Sequence, residues 1–266
     1  SRLYASDGTT QIGTFYAQNR IVVPLKKISK PMRQAVVSRE DRRFFRHAGV
    51  DIQGVMRAFV ATYVKKGATQ GGSSLTQQYV KNVLLLQAQE DNDPIAEYHA
   101  SEETVARKLR EMLIAVQMEK TYSKLEILQG YLNIAQFGRG IYGVEMAARR
   151  YFSTTADKLD IVQAATIAAI TKNPAAFDPS VESNQKASQR ERNIVLDLMY
   201  QEEYISQKQR DEAKAKPLKD TLKLQDGAGG VQRVRRRGVL LRLRHQEDPQ
   251  LEGVRQDHRR AQEAAV

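Results

Sequence analysis

Apolar residues at helical spacing recur through most of this 266-residue chain, and this pattern restricts its fold more than any other feature. From Pro31 onward they stand three and four positions apart, which is typical of amphipathic α-helices. The N-terminal segment differs, because the turn signal Asp7-Gly8 separates two short apolar runs and predicts a small hairpin. The sequence therefore predicts a mainly α fold with a short extended or hairpin segment at its N-terminus.

Two serines mark predicted helix starts, because a serine side chain can accept a hydrogen bond from the N–H groups of the first turn. Ser74 caps a helix that runs through Leu86, and Ser123 caps a later one. The acidic stretch 90–103 contains no lysine or arginine and is expected to be an exposed loop. A long helix is expected from about Glu102 to Lys120, with a buried stripe formed by Val105, Leu109, Met112, Leu113 and Val116.

Charge and composition exclude some functions and leave others open. Lysine and arginine number 42 against 31 acidic residues, and the net charge of +11 suits nucleic acid, an anionic membrane or an anionic substrate. Cysteine is absent, which excludes disulfides, cysteine zinc ligands and cysteine nucleophiles. No uncharged apolar run reaches the roughly 18 residues that indicate a membrane span.

Four segments are expected along the chain. Residues 1–28 form an N-terminal extended linker segment, 29–204 the main helical domain, and 205–226 a C-terminal helix and linker. Residues 227–266 differ in composition, because they contain nine arginines but no lysine, tyrosine or phenylalanine. We expect this Arg-rich tail to be disordered or to be the product of a shifted reading frame.

The first segment rich in reactive side chains is 39–51, where the carboxylates of Glu40 and Asp41 stand among four arginines, His47 and two phenylalanines. Apolar rings raise the pKa of a carboxyl group by desolvation and guanidinium groups lower it, and this balance can tune a general base. A surface network of salt bridges would have the same composition. This segment alone leaves both interpretations open.

The second segment, 71–82, is a glycine-rich turn that opens a helix, and free N–H groups at such a start bind anions. Gln77 and Lys81 are four residues apart, as are Gln78 and Asn82, so each pair shares a helix face and could hold a diphosphate. The spacing is not that of a nucleotide-hydrolase phosphate loop. The alternative is an ordinary capped helix with polar surface residues.

The third segment, 107–120, places Arg107, Lys108 and Glu111 on one side of the predicted long helix. Such residues could form helix-surface ion pairs and nothing more, each contributing about 0.3–0.5 kcal/mol.

Taken together, the order and spacing of the three segments resemble the peptidoglycan glycosyltransferase domain of the class A penicillin-binding proteins, the family 51 glycosyltransferases. The resemblance runs from about Leu3 to about Lys223. The acidic stretch 90–103 and the pair Gln129-Gly130 are similar to actinobacterial members. The matching signatures are Glu40-Asp41 with Phe44, His47, Gly49 and Asp51, then Gly72-Ser73 with Thr76-Gln77-Gln78 and Lys81-Asn82, then Arg107-Lys108 with Glu111 and Glu119, and then Lys124 with Tyr131-Leu132-Asn133.

The resemblance implies a lysozyme-like, two-lobed glycosyltransferase domain over residues 29–204 that polymerises lipid II into glycan strands. Glu40 would be the general base that takes the proton of the acceptor's C4 hydroxyl as the donor's undecaprenyl diphosphate departs with inversion. Glu111, the second catalytic residue, would orient Arg107 or Lys108, or hold a divalent cation such as Mg²⁺ or Mn²⁺. The substrate and its diphosphate would be bound by Asp41, Phe44, His47, Ser73, Thr76, Gln77, Gln78, Lys81, Asn82, Arg107, Lys108 and Glu119.

The resemblance also implies a location and partners. A transmembrane helix would precede Ser1 and a transpeptidase domain would follow the linker, so the chain would be a piece of a longer protein at the outer face of the cell membrane. The transpeptidase domain is expected to be missing from this chain, in which the motif K-T-G does not occur. The partners would be lipid II, the nascent glycan strand and the membrane surface, with moenomycin as an inhibitor. A smaller apolar lobe, roughly 52–68 and 83–104, would face the membrane.

Two other functions would also suit some of these sequence features. A lysozyme-type peptidoglycan hydrolase also sets carboxylates on a mainly α fold, but it has no use for a diphosphate cradle at 71–82. The arginines between Arg233 and Arg244 favour a nucleic-acid-binding module, because cations neutralise phosphates. Their segment lacks the aromatic residues on which bases stack, so no nucleic-acid partner is expected.

Overall fold

The structure, a computed structural model, describes residues 2–4, 11–14, 20–54, 72–225 and 242–244. Two short strands near the N-terminus, β1 (Arg2–Tyr4) and β2 (Gln11–Thr14), pair antiparallel with Arg2 opposite Thr14. The predicted hairpin is therefore confirmed, although its turn at Asp7-Gly8 lies outside the described residues.

A third strand, β3 (Arg242–Arg244), comes from the Arg-rich tail and pairs antiparallel with the other edge of β1, so that the strand order is β2-β1-β3. Main-chain N–H and C=O groups make such a pairing, so it places few demands on the side chains. The rest of the tail lies outside the described residues. Disorder or a shifted reading frame in that segment stays a prediction.

Helices make up most of the described chain, and the prediction of a mainly α fold is confirmed. Four short 3₁₀ helices, at Leu25–Lys27, Phe44–Arg46, Ala156–Lys158 and Glu182–Asn184, join some of them. The α-helices that lie wholly within the described residues are α1 (Lys30–Glu40), α2 (Leu75–Glu90), α3 (Pro94–Ser101), α4 (Val105–Thr121), α5 (Lys124–Ile134), α6 (Val144–Phe152), α7 (Ile161–Ile170), α8 (Gln185–Gln201), α9 (Gln207–Ala215) and α10 (Leu218–Thr221).

Both predicted serine caps are confirmed. At the start of α2, the Ser74 hydroxyl oxygen accepts a hydrogen bond from the Gln77 N–H at 3.2 Å, and the Gln77 side chain accepts one from the Ser74 N–H at 2.8 Å. Ser123 and Glu126 make the same reciprocal arrangement at the start of α5. Each capping box satisfies two N–H groups that the helix itself leaves free, so these starts are fixed locally.

The centre of the core is α7, whose residues from Ala164 to Ile170 are all buried. It packs against α1 and α8, and its alanines allow the neighbouring backbones to come close. The stripe predicted on α1, Met32, Ala35 and Val36, is buried in this core. As a result, Glu40 at the end of α1 lies beside Thr171, the residue that follows α7.

The prediction that the apolar stripe of the long helix is buried is wrong. Val105 and Leu113 of α4 are 77% and 74% exposed, Leu109 and Val116 are also exposed, and Met112 is half-buried. The opposite side of α4, with Glu111, Ala115 and Met118, is turned inward instead. Burial of the Glu111 carboxylate is possible because two cations of the same helix pair with it.

The acidic stretch is exposed as expected, but it is not a loop. Pro94–Ser101 form the helix α3, which packs against α2. Asp93 caps it by accepting hydrogen bonds from the N–H groups of Ile95 and Ala96, each at 3.0 Å. Proline at the first helical position and an acidic cap before it are a helix-start signal that outweighs the charge of the segment.

Across the described parts of the chain, no helix has the length and apolar character needed to span a bilayer. Of the apolar lobe that the resemblance implies, residues 83–104 are described and comprise the end of α2 together with α3. Residues 55–68 lie outside the described residues.

Candidate active site at the start of α2

Glu40 lies half-buried where the ends of α1 and α7 meet the second turn of α2. Its Oε2 accepts a hydrogen bond from the Nε2 of Gln78 at 2.6 Å, and its Oε1 accepts one from the hydroxyl of Thr171. The carboxyl group is thus fixed at both oxygens.

Tyr131 of α5 contacts the end of the Gln78 amide that does not face Glu40. Its hydroxyl lies 3.3 Å from Gln78 Oε1 and donates to it, which leaves the Nε2 group directed at the carboxylate. Burial raises the pKa of Tyr131 well above its usual range, and the negative charge of Glu40 adds to the rise. Because Tyr131 keeps its proton, its hydroxyl can donate to the Gln78 oxygen.

Asp41, the residue after Glu40, is paired with His47. The Oδ2 of Asp41 lies 2.8 Å from the Nε2 of His47 and accepts a hydrogen bond from the N–H of Leu75 at 3.0 Å. Asp41 therefore joins the end of α1 to the start of α2, and both side chains are nearly buried. The prediction placed them against the substrate, but here they support the two helices that carry the site.

Three more residues of the predicted substrate set, Phe44, Thr76 and Gln77, have no solvent exposure. Gln77 closes the cap of α2, and the Thr76 hydroxyl donates to Glu119 Oε1 at 2.5 Å. Apolar packing and internal hydrogen bonds occupy these three side chains here, and their direct contact with substrate stays a prediction.

Glu119 also belongs to this buried network. Lys124 donates to Glu119 Oε1 at 2.7 Å, and the same ammonium lies 4.5 Å from the centre of the Phe44 ring. The pair is fixed at the end of α4 and the start of α5, so Glu119 is a supporting residue for the site.

Arg107 and Lys108 of α4 form a row of cations on the other side of the α2 start. Lys108 donates to Ser73 Oγ at 2.6 Å and to Glu111 Oε2 at 2.9 Å, while Arg107 donates to Glu111 Oε1 and to the carbonyl of Glu102. The Glu111 side chain is 2% exposed, whereas that of Lys108 is 33% exposed. Glu111 thus orients both cations, which was one of the two roles expected for it.

The second expected role of Glu111, holding a divalent cation, does not fit this arrangement. Both of its oxygens already accept hydrogen bonds from cations, and a metal ion would have to displace one of them. In the described segments, no group of three or more histidine, aspartate or glutamate side chains is close enough to bind a metal ion.

Lys81 and Asn82 lie half-buried on α2, one turn beyond Gln78. The Lys81 ammonium has no hydrogen bond or ion pair with any residue in the described ranges. Among the described residues it is therefore an unpaired cation near the residue that holds Glu40, and its role in anion binding stays a prediction.

Beside the cation row, a cavity of about 360 Å³ opens between α2, α3 and α4. Its wall includes Arg107, Arg110 and Glu111, together with His99 of α3. The helix formed by the acidic stretch thus borders the same arginine that Glu111 orients.

Thr171 and Tyr131 are the residues of this site that reasoning from the sequence did not assign. Tyr131 was part of a matching signature but had no role, and Thr171 stands 131 residues from Glu40 in none of the three segments. No local pattern could reveal Thr171, because only the packing of α7 against α1 brings it there.

Comparisons with known proteins identify the family of the chain. The model of the transglycosylase family matches residues 8–200. "Penicillin-binding protein 1A" of Aquifex aeolicus is 38% identical over 218 residues, which cover 82% of this chain and 28% of that protein. "Penicillin-binding protein 2D" of Bacillus subtilis is 37% identical over 216 residues, which cover 81% of this chain and 29% of that protein.

A crystal structure of penicillin-binding protein 1A from Haemophilus influenzae aligns with a TM-score of 0.45 at 21% identity, over 84% of this chain and 21% of that one. The chain spans less than a third of the length of these relatives. With the family match covering most of the chain, it belongs to the transglycosylase family, and its helical domain is a glycosyltransferase domain of the kind found in class A penicillin-binding proteins.

Proposed function

We propose that this domain polymerises lipid II into glycan strands, with the growing strand on its undecaprenyl diphosphate as the donor. The observation that carries the proposal is the start of α2, which joins a fixed carboxylate to a row of cations. Gln78 holds Glu40 on one side, and Ser73 holds Lys108 on the other. Ser73 lies two residues before the first residue of α2 and Gln78 lies near the start of the helix, so the start of this one helix brings the base and the cations together.

Glu40 acts as the general base in this proposal. The C4 hydroxyl of the acceptor loses its proton to Glu40 while its oxygen bonds to the donor's anomeric carbon, and the bond from that carbon to the diphosphate breaks. Gln78 and Thr171 hold the carboxylate in place for this transfer. A base positioned in this way contributes about 10²–10⁴ to the rate.

The cations act on the leaving group. Negative charge grows on the diphosphate as it departs, and positive groups fixed beforehand at that position lower the barrier. Arg107 and Lys108 are fixed by Glu111, and Lys81 has no partner among the described residues to compete with the diphosphate. A hydrolase of the lysozyme type would have no such leaving group, and this cation row favours the transferase.

Several features of the longer relatives belong to the proposal. We infer that the full protein has a membrane anchor before this domain and a transpeptidase domain after it, and that it acts at the outer face of the cell membrane. The substrate then reaches the site from the membrane surface, and moenomycin competes with the donor for Lys81, Lys108 and Arg107. No step above requires a divalent cation, since protein cations neutralise the diphosphate.

The test is incubation of the chain with purified lipid II in detergent, followed by separation of the glycan products by length. We expect products longer than the tetrasaccharide, and their loss when moenomycin is added. An arm with EDTA and an arm with added Mg²⁺ or Mn²⁺ measure any need for metal. Shortening of finished glycan without lengthening of lipid II would favour the hydrolase and overturn the proposal.

A further inference from the structure

Thr171 has two hydrogen-bond acceptors but only one proton. Its hydroxyl contacts Glu40 Oε1, and it also lies 2.7 Å from the carbonyl oxygen of Ala168. A threonine hydroxyl can donate to one acceptor at a time, although its oxygen can also accept. Ala168 lies in the last turn of α7, where carbonyl groups lack a helical N–H partner, so its carbonyl is a real competitor for the proton.

The protonation state of Glu40 decides between the two acceptors. When Glu40 is ionised it can only accept, and Thr171 donates its proton to the carboxylate. When Glu40 carries a proton it can donate to the oxygen of Thr171, and the hydroxyl proton of Thr171 then turns to Ala168. The carboxyl group keeps Thr171 as a partner in both states.

Gln78 cannot respond in this way. Its Oε1 accepts from Tyr131, so its Nε2 faces Glu40 only as a donor. The two partners of Glu40 are therefore different in kind, since Gln78 can only donate to the carboxyl group, whereas Thr171 can donate to its ionised form and accept from its protonated form.

We propose that Thr171 is a positioning residue that holds Glu40 in one place before and after it takes the acceptor's proton. This inference rests on the proposed function, in which Glu40 is the base. Its effect is on the rate of the chemical step, because displacement of a reacting group by about 1 Å can lower a rate by about 100-fold.

The test compares Thr171→Val with Thr171→Ser. Valine keeps the shape and removes the hydroxyl, and we expect kcat for lipid II polymerisation to fall about 10-fold or more with KM and moenomycin affinity unchanged. Serine keeps the hydroxyl and should restore most of kcat. Failure of serine to restore kcat, or a loss in KM instead of kcat, would overturn the proposal.

Thr166→Val is the matched control. Thr166 lies on the same helix, is buried, and donates to the carbonyl four residues earlier, that of Val162, at 2.7 Å. It has the same kind of bond to the backbone, but it has no hydrogen bond to a carboxylate of the described residues. Thr166→Val should leave kcat unchanged. An equal loss of kcat in both variants would show that damage to α7 explains the effect of Thr171.

A second measurement does not depend on activity. If Thr171 holds Glu40, the fall in melting temperature caused by Thr171→Val should be smaller when Glu40 is already alanine than in the unchanged chain. Equal falls in both backgrounds would overturn the contact. If the unchanged chain polymerises lipid II and Thr171→Val keeps full kcat, the inference alone fails. If the unchanged chain does not polymerise lipid II, the proposed function fails, and the melting temperatures still decide whether Thr171 holds Glu40.

Discussion

Replacement of Glu40 by glutamine should separate catalysis from folding at this site. The glutamine oxygen can accept from Gln78 as Glu40 does at 2.6 Å, and its NH₂ group can donate to the oxygen of Thr171. Thr171 then donates to the carbonyl of Ala168, which is already 2.7 Å away. Every polar group keeps a partner, so we expect the free energy of unfolding to change by less than about 1 kcal/mol.

The same substitution should abolish most of the activity, because an amide has no useful basicity. Loss of a general base costs about 10²–10⁴ in rate, which corresponds to a barrier higher by about 3–5 kcal/mol. The assay is polymerisation of fluorescent lipid II, with melting temperature and moenomycin affinity measured on the same preparations. Both of the latter should remain close to those of the unchanged chain.

Glu202→Gln is a suitable control, because Glu202 pairs with Arg42 at 2.7 Å near the end of α8 and also loses one negative charge. It should polymerise lipid II at the normal rate. If Glu40→Gln kept more than about a tenth of the rate, another group would have to be the base. If the melting temperature of Glu40→Gln fell by more than about 5 °C, the expected change of hydrogen-bond partners at Thr171 would be wrong.

Substitution of the two lysines by alanine should have different effects. Lys81→Ala should weaken moenomycin binding and leave the melting temperature within about 2 °C of the unchanged chain. Lys108→Ala should weaken moenomycin binding and also lower the melting temperature by about 3–6 °C, because it leaves Glu111 with Arg107 alone. Equal melting temperatures of the two variants would contradict this difference. Arg192 is fully buried, burial lowers its pKa, and its guanidinium donates to the carbonyls of Lys214 and Lys216 at the end of α9. Arg192→Met should therefore cost about 2–4 kcal/mol in urea unfolding, and a loss below about 1 kcal/mol would refute its role as a clamp. Removal of 227–266 should leave polymerisation and the melting temperature nearly unchanged, and loss of activity in that shortened chain would show that the tail has a structural role.

Local signals were sufficient to predict much of the fold and many of the residues that lie at the site. Ser74 and Ser123 start helices because their hydroxyl groups meet N–H groups three residues away. The apolar stripe of α1 follows from helical spacing alone. Arg107, Lys108 and Glu111 share a side of α4 for the same reason, and the sequence could therefore predict that Glu111 orients the cations.

Reasoning from the sequence was less successful at deciding which side of an element faces inward. Periodicity places Leu109 and Leu113 on one stripe, but it does not say whether that stripe or the one with Glu111 is buried. The choice depends on whether the inward carboxylate finds partners, and on which neighbouring helix packs there. Likewise, Phe44 and Gln77 are part of a recognisable signature, yet packing and capping occupy their side chains.

What the sequence by itself determined was most of the helices, the caps at Ser74 and Ser123, and the three segments that contain the reactive groups. What only the tertiary structure decided was which of those groups meet. Gln78 reaches Glu40 across 38 residues and Thr171 reaches it across 131, and neither contact has a signal in the residues between. Hydrogen bonds within a turn depend on nearby residues, whereas contacts between helix ends depend on how the whole core packs around α7.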